Sequence, residues 1–554
     1  MKFDTRHLQA SQTLFSDVCV IGAGPAGITL AREFLGTQIT VNVLESGGDV
    51  HDADVQKLSE GELSGHVYEP HESTHMRQIG GTANHFILRM TDNEFGYRYT
   101  PLDEIDFEQR DYFPHSGWPF KKSELDPYYT RIQEICGIGH YDYTAKYWSR
   151  GNYELIPFDE SKAYSSVFMF GPTKKFSKEF PEQIAESANV NLYAFATVVE
   201  LICDDSGENV KTAVVRRFDG QEIYFSAKHF IIAANALQTP RLLLNSTRQH
   251  AKGIGNQHDN VGRYFMDHHL VPSGNFVMHD PKTINRMAFY DMQGIDGASI
   301  LGRLNLATEK IQQEGLRNFS AMLFPMPWNA ADLEAMNSFN HLKVQLRWHW
   351  DRWPKDLGKH LMNIFRGRNR VFRAIYENVR YGVPFLVGLG RGGWSRIANN
   401  EKKYDRLEVL ALVEVSPNPE NRVTLVDDKD ALGCQKIKLH YLCSEDDIAS
   451  VKCAQKIVGE AFEATGLGYY EPPKVAADVM KTLTGTHHMM GTTRMSDDPK
   501  VGVVDRDCCV NGMNNLFIAG SAVFPTGGYA NPTLTNLALS IRIADKVKSL
   551  LKAG

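Results

Sequence analysis

Apolar and polar positions along the first fifty residues predict one supersecondary unit. Asp17-Val-Cys-Val-Ile21 is a short apolar run of strand character. Glycines follow at once, and an apolar repeat of helical period then runs from about Pro25 to Leu35. Ile39-Thr-Val-Asn-Val-Leu44 is a second β-rich run, ending on Glu45. Strand, helix and strand in this spacing predict a βαβ unit with parallel strands and a right-handed crossover.

The pattern then changes. Residues from about 50 to 130 are rich in Gly, His and Pro and read as loops, until Gly117-Trp-Pro119 and Ser123-Glu-Leu-Asp-Pro127 lead into a helix through residue 136. Residues 190 to 233 alternate apolar and polar runs around the turn signals Asp205-Ser-Gly207 and Asp219-Gly220. They predict strands closing on Phe230-Ile-Ile-Ala233. A helix is expected to begin near Thr239-Pro240, proline being suited to a first turn. Further on, 408–414 and 422–426 predict strands and 445–465 an amphipathic helix. From 483 the chain reads as loop, strand (Leu516-Phe-Ile-Ala519), glycine-rich loop and helix. Nucleotide-binding character at both ends predicts one discontinuous domain, 1–90, 190–270 and 480–554, interrupted by a substrate-side domain, 91–189 and 271–479.

Composition narrows the partners. With 60 Lys and Arg against 66 Asp and Glu, the net charge of −6 argues against nucleic acid as a ligand. The eight cysteines form no C-x-x-C pair, so no metal site is predicted. Cys508-Cys509 reads as two packing residues rather than a redox pair. There is no apolar run of ~18 residues to cross a membrane and no apolar leader at the N-terminus, so a cytoplasmic protein with reduced thiols is expected.

One segment departs from the average. Between 343 and 373 lie Lys343, Arg347, Arg352, Lys355, Lys359, Arg366, Arg368, Arg370 and Arg373, against only Asp351 and Asp356, with Trp348, Trp350 and Trp353 among them. The plainer reading is a solvated helical face or a lobe packed on a second subunit, and homo-oligomerisation stays open. The alternative is a face lying on an anionic membrane or on an electron-accepting partner.

Candidate chemistry begins at Gly22-Ala-Gly24-Pro-Ala-Gly27, a G-x-G-x-x-G between a strand and a helix. Gly22 permits the tight turn, Gly24 the approach of a pyrophosphate to the backbone, and Gly27 close packing of helix on strand. The helix N-terminus then offers free N–H groups to phosphate. Glu45, 23 residues after Gly22, is placed to accept ribose hydroxyls. The motif alone does not separate FAD from NAD.

The C-terminal part supplies the distinction. Gly485-Thr-His-His-Met-Met-Gly-Thr-Thr-Arg-Met495, Gly502-Val-Val-Asp505 and the run from Asn515 to Thr535, with Gly520-Ser521 and Tyr529-Ala-Asn-Pro-Thr533, closely resemble the glucose–methanol–choline (GMC) flavoprotein oxidoreductases. Arg77-Gln-Ile-Gly-Gly-Thr82 and Ala233-Ala-Asn-Ala-Leu-Gln-Thr-Pro-Arg-Leu resemble the same family. The likeness reaches both ends and the middle of the chain, while 275–400 matches no motif. It implies an α/β fold: a Rossmann-like FAD-binding domain and an α+β substrate domain on an antiparallel sheet. It also implies an FAD site formed by Gly22, Gly24, Ala26, Gly27, Glu45, Arg77, Gly80, Gly81, Asn84, His85, Val198, Ala234, Gly520, Ser521, Asn531, Pro532 and Thr533.

The resemblance further implies oxidation of a CH–OH group, hydride passing to flavin N5 and the hydroxyl proton to a base. His488, three residues before Gly491, matches the family's base. Asn531, six residues after Pro525, matches the residue that hydrogen-bonds the substrate oxygen. His487 reads as a supporting or packing residue. Asn531 and Pro532 also suit the cap and first position of a helix aimed at the flavin. Some sugar-oxidising members bond the flavin to a histidine at the offset of His85, and covalent and non-covalent binding both stay open. A sugar, glycoside or cyclic polyol is the expected substrate class, with oxygen or another electron acceptor. The competing readings are a lyase of the same fold with structural FAD and a docked dehydrogenase feeding an electron carrier.

Overall fold

The computed structural model describes the chain except residues 85–87, 90–94, 151–152, 328–330, 332–333, 337, 340, 344–355, 382–392, 397–398, 475–479, 482–484 and 554. His85 and the tryptophans 348, 350 and 353 therefore lie outside the described residues. Three sheets organise the rest.

The first sheet is nucleated by the predicted unit. Strand Thr13–Ile21 and strand Val41–Leu44 pair in parallel, Val18 opposite Val41 and Ile21 opposite Leu44, with helix Pro25–Arg32 between them. Val18, Cys19, Val20, Val41 and Val43 are wholly buried, as central strands covered on both faces require. Strands Val190–Ala194, Val198–Cys203, Val210–Arg216, Glu222–Ile232 and Leu516–Ile518 complete this eight-stranded sheet together with Lys2–Asp4. It thus draws on three separate stretches of sequence. Helix Thr533–Ala553 packs on helix Pro25–Arg32 and on helix Asp126–Cys136, which ends on Gly137 in the left-handed region.

The second sheet has nine strands in antiparallel pairs. Its centre is Ala163–Pro172, Ala298–Leu306, Phe319–Pro327, Tyr404–Val413 and His269–Met278, and helix Glu445–Ala464 packs against one end. A third, small sheet joins Gly61–Gly65 to Arg422–Lys429 and Gln435–Tyr441.

Two expectations need correction. The stretch 50–130 holds strands Gly61–Gly65 and Phe95–Tyr99, short elements that complete sheets begun elsewhere and so leave little periodic signal. The helix expected from Thr239-Pro240 starts earlier and spans Asn235–Asn245 with Pro240 inside it. Asn235 holds that start: its side-chain oxygen accepts the N–H groups of Leu237 and Gln238 at 2.8 and 3.0 Å.

All eight cysteines are free. Cys508 is buried, Cys509 Sγ lies 3.3 Å from the Met513 carbonyl, and burial pushes both thiols up to about 12. Among the described residues no helix is long and apolar enough to cross a membrane, and no cluster of ligating side chains could hold a metal.

Candidate active site

A cavity of about 670 Å³ runs between the two large sheets, and residues from both chain ends line it. At one end stands the glycine turn. A Cβ on Gly22 (φ +107°) would lie 2.5 Å from the Ala233 carbonyl oxygen, and one on Gly27 would lie 1.9 Å from that of Gly22. Neither position admits a side chain. Gly24 is different: a Cβ there meets only the Gly81 Cα, at 4.0 Å, so a side chain would project into the open cavity. Gly24, Pro25 and Ala26 line that space at the N-terminus of helix Pro25–Arg32.

Glu45 lies beside this turn. One carboxylate oxygen accepts the Ala23 N–H at 2.9 Å and the other the Gly47 N–H at 2.9 Å. Burial pushes its pKa up to about 7, while those two N–H groups and Arg77 pull it down. Arg77 is held by Ser46, Ser59 and Gln238, and burial together with Arg241 lowers its pKa to about 10. Gly22, Gly81, Val198, Ala234, Gly520, Ser521, Pro532 and Thr533 also line the cavity. Gly27, Gly80 and Asn84 do not: Gly27 packs the helix on its strand, and Asn84 donates to the Ile79 and Gly81 carbonyls and braces the turn from behind.

At the other end His488 and Asn531 share the cavity wall. The Asn531 amide Nδ2 lies 2.8 Å from His488 Nε2, and His488 Nδ1 lies 3.0 Å from Nδ1 of His268. With the Asn531 amide nitrogen as the donor, Nε2 carries the lone pair and the ring proton sits on Nδ1, facing His268. Burial holds the His488 pKa well below 6.5, helped by His268, Arg98 and His487. The ring is therefore neutral at neutral pH, with its basic nitrogen on the cavity side. Asn531 does not serve as the expected helix cap. The helix begins at Thr533, Pro532 accepts the Asn536 N–H, and the Asn531 side chain is spent on His488.

The backbone of the His487–Gly491 loop is fastened by residues that carry no signal in the sequence analysis above. Asp267, wholly buried, accepts the N–H groups of His487 and His488 at 3.1 and 2.8 Å and the Tyr68 hydroxyl at 2.6 Å. Met266 and Met490 exchange backbone hydrogen bonds alongside, an approach that places the Tyr264 carbonyl oxygen 1.9 Å from where a Cβ on Gly491 (φ +73°) would stand. His268 is wholly buried, its pKa lowered to about 4 by burial against the pull of the Gly528 and Gly527 backbone. Below the neighbouring loop, Glu414 forms a buried ion pair with Arg110 (2.8 Å) and accepts the Gly528 N–H at 3.2 Å. His487 sits in the left-handed region (φ +61°), also lines the cavity, and its Nε2 is 3.0 Å from a Glu69 oxygen. Arg98, from strand Phe95–Tyr99, brings a buried guanidinium to the wall. Its Nε has no hydrogen-bond partner, its plane lies over the Phe168 ring, and burial with Arg303 lowers its pKa to about 9. The Asp267-His268 dipeptide is the one signal that could have revealed part of this group.

Residues 417–540 match the C-terminal family of the GMC oxidoreductases. Over 603 aligned positions, 96% of this chain and 95% of the relative, the chain is 23% identical to 2-methyl-1,2-propanediol dehydrogenase of Mycolicibacterium austroafricanum. Over 133 positions, 23% of this chain and 25% of the relative, it is 35% identical to C-glycoside 3-oxidase of Microbacterium trichothecenolyticum. The structure of a variant formate oxidase of Aspergillus oryzae RIB40 superposes with a TM-score of 0.53 at 17% identity, covering 99% of this chain and 100% of that one. That superposition shows a shared fold. The chain is an oxidoreductase whose residues 417–540 match the GMC family, and the relatives it resembles are named dehydrogenases and oxidases.

Proposed function

We propose that this enzyme oxidises a secondary hydroxyl of a sugar, glycoside or cyclic polyol, with FAD in the cavity, His488 as the base and Asn531 as the orienting group. The residues fit FAD. The space before Gly24 is open for a pyrophosphate at a helix N-terminus. Glu45 takes the Ala23 N–H on one oxygen and the Gly47 N–H on the other, which leaves lone-pair capacity for a ribose hydroxyl. Gln238 Nε2, Asn531 Oδ1 and Asn536 Oδ1, all on cavity-lining residues, are buried without partners and await a polar ligand. FAD, when bound, is the hydride acceptor.

The protein handles the proton. A substrate hydroxyl that displaces the Asn531 amide from His488 Nε2 can donate to that lone pair and accept from Asn531 Nδ2. As the proton moves, the imidazolium shares its Nδ1–H with His268, and the Arg98 charge stabilises the oxygen left behind. The observation that carries the reading is the 2.8 Å contact between His488 and Asn531 in the wall of the cavity that the glycine turn also lines. The substrate class rests on the named relatives, a C-glycoside 3-oxidase and a diol dehydrogenase among them. Anaerobic mixing of the purified flavoprotein with sugars, glycosides, polyols and simple alcohols is the test. Bleaching of the flavin by a sugar or glycoside is expected, and bleaching by none of them would overturn the reading.

A further inference from the structure

Helices Leu357–Arg366 and Arg368–Tyr381 form a lobe with a small core of its own. Val371 and Ala374 are buried against Ala335 and Met336, apart from the main core, and Ile364 packs on this cluster. The opposite face is apolar as well. Leu361, Met362 and Phe365 are 52, 52 and 63% exposed, and Phe372, Tyr376 and Val379 are 69, 60 and 82% exposed. Six of the thirteen exposed large apolar side chains among the described residues thus fall within nineteen positions. The spacing explains the face: 372, 376 and 379 are i, i+4 and i+7, and 361 and 365 are i and i+4, so each helix lines up one outward stripe.

Charge tells what would cover it. From 357 to 381 the sequence carries Lys359, Arg366, Arg368, Arg370, Arg373 and Arg380 against Glu377 alone, in a chain whose net charge is −6. Arg373 and Arg380 follow Phe372 and Val379 directly, so cations border the stripe. A two-fold contact between copies would set this surplus of five positive charges against itself. Protruding aliphatic and aromatic side chains bordered by arginines match a bilayer. The apolar tips enter the headgroup–acyl boundary, and the long cationic side chains reach back to the headgroups. We infer that this face of the lobe docks the enzyme on the surface of a membrane containing anionic phospholipid.

The test uses the purified full-length flavoprotein and vesicles of phosphatidylcholine, alone or three to one with phosphatidylglycerol. Co-sedimentation is expected with the anionic vesicles at low salt and not with phosphatidylcholine alone. Charge reversal (Arg366→Glu with Arg373→Glu) should weaken it at least ten-fold, since each cation near such a surface contributes about five-fold. Phe365→Ser with Phe372→Ser should weaken it about as much. Flavin content and activity with a soluble acceptor should be unchanged in both variants, which lie outside the catalytic cavity. Amide exchange of the unmodified protein should slow in 357–381 when anionic vesicles are added. Four results would each overturn the inference: no co-sedimentation, equal binding to phosphatidylcholine alone, binding indifferent to the Phe365/Phe372 pair, or a dimer that this pair of substitutions converts to monomer. The last would make the face a contact between copies.

Discussion

The two ends of the cavity are built by different means. The end at the glycine turn is made of backbone. Gly22, Gly24 and Gly27 work by lacking side chains, and all three fall within six residues of one turn. The end at His488 is made of side chains brought from afar: His488 meets His268 across 220 positions of sequence and Asn531 across 43. A backbone site is secured by geometry that one substitution destroys outright. A side-chain site is secured by a network in which each member carries a graded share.

That contrast sets the order of expected effects. Gly24→Val places a branched side chain in the open space before the turn, and purified protein should carry no flavin by absorbance; a normal flavin content would break the backbone account. His488→Ala should keep flavin yet reduce it with substrate about 10²- to 10⁴-fold more slowly in anaerobic rapid mixing. A near-normal rate would remove His488 from the reaction. Arg110→Met leaves the Glu414 carboxylate buried without a cation, held by the Asn318 and Gly528 N–H groups, and chemical denaturation should show a loss of about 3–5 kcal/mol. A loss below about 1 kcal/mol would mean that the ion pair does not anchor the Gly528 loop. Asn531→Ala should slow flavin reduction about ten-fold or less and weaken substrate binding, the loss of one hydrogen bond, and Asn531→His should recover part of both.

The smallest expected effect concerns pH. Because burial and its neighbours hold the His488 pKa well below 6.5, the basic form persists as pH falls through 7 and 6. Flavin reduction should therefore be flat across neutral pH and decline only on the acid side. His268→Leu removes one of the groups that depress it, so the acid limb should move towards neutrality, while His268→Asn, which keeps a polar partner for Nδ1, should move it less. A limb unchanged in both variants would leave His268 with a packing role only.

Legibility in the sequence follows the same division. The βαβ unit, helix 445–465 and the glycine turn could be read because periodicity and local sterics suffice for them. His488 and Asn531 were legible only through resemblance, since nothing within a few residues of either announces chemistry. Asp267, His268, Arg98 and Glu414 act through contacts with distant segments, and their local patterns are those of ordinary strands and turns. The helix start at Asn235 was misplaced because Pro240 is a strong local signal, and the side-chain bonds of Asn235 outweigh it.

The vicinal cysteines have a consequence for durability. A thiol reacts with peroxide as the thiolate, and Cys508 and Cys509, held up to about 12, are almost entirely protonated at neutral pH. Flavoenzymes that pass electrons to oxygen release peroxide beside their own core. This pair should withstand added peroxide without forming sulfenic acid, and it sits on the strand-and-loop segment leading into Leu516–Ile518, where an oxidised sulfur would disturb the first sheet.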